Sequence, residues 1–214
     1  MMTLVWMLVI LFLMIYWLVY DTMHASVTKK IQNAFETQDY RTAEALMTGH
    51  RASFLFGKFG CLIGKFDLAV AQNKRKEAEK LLREMESMPL CDHEKATLYA
   101  KAFNFYLIHD DQTRCQEYTA KITDIHCQKT RDLRRAVRIA YDAIFSHRTD
   151  HLDDILNIYA WKSDTGKAFL EYELACIYDN INDEENHAKY MELYESHEEG
   201  LRLNPGINGV WMNH

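Results

Sequence analysis

Proline and glycine are scarce, two and eight in 214 residues. Strand-rich chains punctuate themselves with these residues at their turns, so the scarcity argues against a sheet. Charge is missing altogether before Asp21. No Gly-x-x-x-x-Gly-Lys phosphate loop and no His-Glu-x-x-His occurs, which removes two common signatures of nucleotide and zinc chemistry. No Asn-x-Ser/Thr glycosylation acceptor is present either. The cysteines Cys61, Cys91, Cys115, Cys127 and Cys176 are odd in number and widely spaced. An exported domain would pair them, so they point to a reducing compartment and to small buried hydrophobes.

What stands in place of charge at the start is a continuous apolar run. Residues 1–20 contain, apart from Thr3, only apolar and aromatic side chains. As a helix they span about 30 Å, the thickness of a bilayer's hydrocarbon core. Tyr16, Trp17 and Tyr20 cluster at the end, where amphipathic rings favour the headgroup layer. A signal peptide would carry a basic start, a shorter core and a small-x-small cleavage site. Here no Lys or Arg precedes the run, and Met23-His-Ala25 puts a bulky residue where a small one is wanted. The pattern therefore predicts a retained single-pass anchor. Lys29, Lys30 and Arg41 follow it, which favours a cytoplasmic C-terminal domain.

Beyond the anchor, apolar residues recur at helical spacing. Leu133, Val137, Ala140, Tyr141 and Ile144 form one stripe, and Phe169, Tyr172, Leu174, Ala175 and Tyr178 another. The expected fold is all-α. Asp39, Asn73, Asp110-Asp111, Thr149-Asp150 and Asn182-Asp183 mark tight turns, spaced 34, 37, 39 and 33 residues apart. A period of this length with one turn per period means a repeated helical hairpin that must stack on its neighbours.

Leu174-Ala175-Cys176-Ile177-Tyr178, Gln38-Asp39-Tyr40-x-x-Ala43, Asn73 to Ala78 followed by Leu81-Leu82 and Pro89, and Tyr99-x-x-x-Phe103-x-x-Tyr106 before Asp110-Asp111 carry a family pattern. It is an apolar then small residue, a tyrosine, a polar turn, and a small residue early in the second helix. In this the chain resembles the tetratricopeptide-repeat (TPR) family. The resemblance covers about residues 22–200, with the stretch around 130–162 matching by period more than by residues. It implies a superhelix of about five hairpins over residues 21–200, after the anchor at 1–20. Residues 201–214 would form a tail or cap through Val210 and Trp211.

The family's first helices line a concave groove that receives peptides or partner helices. The resemblance thus implies a partner site at Lys101, Asn104, Arg131, Arg134, Arg135 and Arg138. The aromatic residues Tyr99, Phe103, Tyr106 and Tyr141 would line it. Arginines there would grip a carboxylate in a charge-assisted fork. The competing reading of those arginines is a solvated face beside the Leu133/Val137 stripe.

Other chemistry finds less support. Cys91-x-His93 and His126-Cys127 place soft ligands close together, but no second pair stands at zinc-finger spacing. His147 and His151 straddle a predicted turn, so structural or surface roles are expected, with no cofactor or metal. The apolar stretch Ser53–Phe66, with Lys58, Lys65 and the pair Gly60/Gly64, reads as a buried helix packed through its glycines. Its rival is a helix on the bilayer surface. Residues 51–90 hold eight Lys/Arg against five Asp/Glu, whereas 164–200 hold two against eleven. With a net charge of −6 and no dominant basic face, nucleic acid is disfavoured. The expectation is a membrane-anchored, non-enzymatic adaptor that binds a protein or peptide. A structural subunit of a membrane complex is the alternative, and a helical enzyme the less favoured one.

Overall fold

The computed structural model describes residues 2–162 and 167–203, and among these every regular element is helical. The chain divides into two compact units, Met1–Leu68 and Ala69–His214.

The first unit begins with α1 (Met2–Glu36), which continues well past the predicted end of the apolar run. Thr22, just after Asp21, donates its hydroxyl to the carbonyl of Leu18 (2.7 Å), so the polar residue is accommodated without a break. Trp6 and the side chains from Ile10 to Val19 are exposed, and the helix is long and apolar enough to cross a membrane. Gln38, at φ 56°, turns the chain into α2 (Tyr40–Thr48). Asp39 caps α2 by accepting from the amide of Thr42 (3.1 Å). Ala43 is fully buried where α2 packs on α1, and Ala34 and Phe35 are buried on α1.

Helix α3 (His50–Ala71) opens in this unit and is kinked at Gly57 (φ 65°, ψ −179°). That conformation is essentially restricted to glycine. At Gly64 an added Cβ would run into Met47 Sδ, so α2 and α3 meet closely there, as expected of a packed helix.

The second unit carries α4 (Arg75–Glu86), α5 (Asp92–Ile108), α6 (Gln112–Thr123), a 3₁₀ turn (Gln128–Thr130), α7 (Arg131–Ile144), α8 (Leu152–Trp161), α9 (Ala168–Asn180) and α10 (Glu184–Leu203). Leu82, Met85, Leu98, Phe103, Ile122, Val137, Ile155, Leu174 and Ile177 form its core.

Helix pairs recur along the chain with a common turn. Gln38, Asn73, Asp110, His147 and Asn182 all adopt positive φ, at spacings of 35, 37, 37 and 35 residues. After Asn73, Asp110 and Asn182 the next amide reaches back five residues: Lys74 to Ala69 (2.8 Å), Asp111 to Tyr106 (3.0 Å), Asp183 to Tyr178 (2.9 Å). This Schellman closure satisfies the carbonyls left open at the helix end. Asp111 and Asp183 then cap the following helix, each accepting from an amide three residues on at 3.1 Å.

The pairs α5/α6 and α9/α10 are structural copies offset by 72 residues. Tyr106 stacks on Tyr118 (5.6 Å, 14°) as Tyr178 does on Tyr190 (5.4 Å, 6°). Cys115 Sγ meets the carbonyl of Phe103 (3.7 Å), and His187 Nδ1 that of Ala175 (3.0 Å).

The pair α7/α8 departs from this pattern. Its turn lies at His147, two residues before the predicted Thr149-Asp150. Arg148 forks onto Asp150 (2.6 and 3.0 Å) in a longer link. Counting back from each turn, Arg135 stands where Leu98 and Leu170 are buried, and Ala143 where Tyr106 and Tyr178 stack. An exposed arginine and a small residue at the seam positions leave less to bury, so α7 packs mainly on α5, α6 and α9.

Helix α10 continues to Leu203, three residues past the expected end of the repeat region at 200. The predicted cap residues Val210 and Trp211 lie outside the described residues.

Candidate functional site

The first helices of the last three pairs, α5, α7 and α9, pack on one another in order. Positions equally far before each turn fall at equivalent places on them. Nine residues before the turn stand Lys101, Arg138 and Glu173, and six before stand Asn104, Tyr141 and Cys176. Four of the predicted partner-binding residues therefore share one register: Lys101, Asn104, Arg138 and Tyr141. Arg134 lies one helical turn before Arg138 on α7 and joins them.

Among the described residues two buried polar atoms on these helices lack hydrogen-bond partners: Asn104 Oδ1 on α5 and Arg134 Nε on α7. One is an acceptor and the other a donor, on adjacent helices. Buried polar groups are nearly always satisfied, so such a pair calls for an explanation. Arg138 is exposed and only loosely paired with Asp142 (3.7 Å). Lys101 is half-buried and has an interaction of its own. Tyr141 is half-buried beside Phe145 (5.4 Å).

The remaining predicted residues are placed elsewhere. Phe103 is 0% exposed and Tyr106 only 7%. Tyr99 and Tyr106 both contact Tyr118 of α6 (6.0 and 5.6 Å). The stripe Tyr99, Phe103, Tyr106 is thus the seam of its own hairpin and has little surface to offer a groove. Arg135 reaches Asp154 of α8 (2.6 Å), and Arg131 lies beside Asp132 (3.6 Å). These two arginines are held on α7's exposed side by local carboxylates.

Two of the eleven acids counted in residues 164–200 are interior. Glu171 accepts from Tyr159 of α8 (2.9 Å) and meets His197 Nδ1 of α10 (2.8 Å), tying three helices together. Glu173 is buried, and loss of solvent pushes its carboxyl up to about 8. At neutral pH it is therefore largely protonated. Their only sequence signal was position within the apolar stripe of α9, which the acidic count concealed.

The cysteines are all free thiols. Burial raises Cys115 to about 12 and Cys176 to about 11, far from the lowered values of nucleophilic thiolates. His147 contacts Asn180 (2.8 Å), and His151 lies near Asp142 (3.4 Å), so the two rings serve different partners. Among the described residues no group of three or more His, Cys, Asp or Glu is arranged to hold a metal.

No family model matches the chain, and neither the curated proteins nor the solved structures contain a significant match to it.

Proposed function

We propose that this protein is a membrane-anchored, non-enzymatic adaptor. The apolar start of α1 holds it in a bilayer as a single-pass protein with its helical domain in the cytoplasm. A TPR-like array of helical pairs presents a groove along α5, α7 and α9 to a protein or peptide partner. The observation that carries the reading is the recurrence of one turn at 35–37 residues combined with unsatisfied polar atoms on adjacent first helices. A repeat stack buries its own apolar seams and leaves the shared first-helix register as a continuous surface.

In this reading Arg134 and Arg138 engage a carboxylate of the partner, Asn104 accepts from its backbone amide, and Tyr141 supplies a rigid contact. At the equivalent position on α9 Glu173 is buried, so the charged part of the surface lies on α5 and α7. The lysines after the span support the cytoplasmic placement.

The test is co-purification from gently solubilised membranes. The parent chain is compared with Arg134→Glu/Arg138→Glu, and with Arg131→Glu/Arg135→Glu as a matched change of charge. Loss of a specific partner with the first variant only is expected. Equal loss with both, or with neither, contradicts the groove.

A further inference from the structure

We infer that the first segment of α3, residues 50–56, together with Lys58, is a second membrane contact, resting among the anionic lipid headgroups beside the end of the span. The inference deepens the membrane-anchored reading and rests on it. Tyr20 closes the uncharged run and so marks the level of the bilayer surface. Its hydroxyl donates to the carbonyl of Leu55 (2.9 Å), and its ring meets Phe54 edge-on (5.8 Å). One turn further along α1, His24 contacts Phe56 (4.9 Å).

The kink explains why this contact forms. Gly57 interrupts the helical ladder, across which the Leu55 carbonyl would otherwise pair with the amide of residue 59. The tyrosine hydroxyl satisfies it instead. The path of the chain agrees. From Tyr20, α1 runs on for roughly 24 Å to Glu36. After the tight turn α2 comes back by about 13 Å, and the start of α3 closes most of the rest.

Chemistry selects lipid as the occupant. Phe54 is 60% exposed at the end of the apolar run. Arg51 and Lys58 flank it and are exposed, and no acid occurs between Glu44 and Asp67. An aromatic ring between cations, continuous with a span, matches the boundary between acyl chains and anionic headgroups. A protein surface would need acids opposite these cations and would have to lie at the same depth.

The experiment places the photoreactive amino acid p-benzoylphenylalanine at Phe54, at Trp17 or at Gln38 of the full chain. Each is reconstituted in phosphatidylcholine vesicles containing one-third phosphatidylglycerol. Lipid adducts are expected at positions 17 and 54 and not at 38. Adducts at 54 fall several-fold in pure phosphatidylcholine or with Arg51→Glu/Lys58→Glu, while those at 17 stay unchanged. Adducts at 17 without adducts at 54, or no effect of charge reversal, overturn this inference and leave the span standing. A protein adduct at 54 in place of lipid overturns it in favour of a protein contact. No lipid adduct at 17 removes the span, and this inference with it.

Discussion

Single residues decide two features that periodicity does not reveal. Gly57 takes a conformation that a side chain resists, and the kink it makes exposes Phe54 and frees a carbonyl for Tyr20. Gly57→Ala is expected to cost about 1–3 kcal/mol in chemical unfolding. A loss under a few tenths would show that the kink is not required. Glu173 is the second case. Its carboxyl has a folded pKa of about 8, above its ordinary value of 4.5, so folding favours the protonated form. Its contribution is fully present below about 4.5 and is lost as pH rises toward 8. Glu173→Gln should therefore be more stable than the parent at pH 8, by a few kcal/mol, and nearly equal to it at pH 4. Parallel stability curves for the two proteins would contradict the buried, neutral carboxyl. Neither residue was legible beforehand. A glycine within an apolar stretch carries no sign of its φ, and a glutamate counts as surface charge until its helix face is known.

Helix pairs were the most legible level, because a turn is local chemistry. Three of the five turns fall at the Asx positions that mark them; the first sits at Gln38, one residue before Asp39, and the fourth slips by two residues to His147. There the seam residues Arg135 and Ala143 replace the Leu and Tyr of the neighbouring pairs, so period alone located the pair. The assignment of faces was less legible. Tyr99, Phe103 and Tyr106 form an aromatic stripe that suits a groove or a hairpin seam equally well, and Tyr118 on α6 decides for the seam. Arg134 and Arg135 are adjacent in sequence, yet one has a buried nitrogen and the other an exposed ion pair with α8. Arg135→Ala should thus shift stability by less than about 0.5 kcal/mol, since exposed pairs contribute little. Asp111→Ala removes the cap of α6 and should cost about 1 kcal/mol by thermal or urea unfolding. The reverse order of these two effects would contradict the roles given to them.

The whole molecule joins two physical tasks in one chain. In the proposed reading a bilayer covers the exposed apolar start of α1, and each helical pair buries its seams against its neighbours. α1 serves both, because it continues from the apolar run into the helix on which α2 packs. In the proposed function partner recognition resides in the α5–α7–α9 register and membrane residence in residues 1–20. The most direct measurement is site-specific photocrosslinking of the full chain in native membranes, with p-benzoylphenylalanine at Tyr141 or at Trp17. One discrete protein adduct is expected at position 141, disappearing with Arg134→Glu/Arg138→Glu, together with lipid adducts at 17. Protein adducts at 17 that persist in that variant, with none at 141, would place recognition in the span and overturn the proposed function.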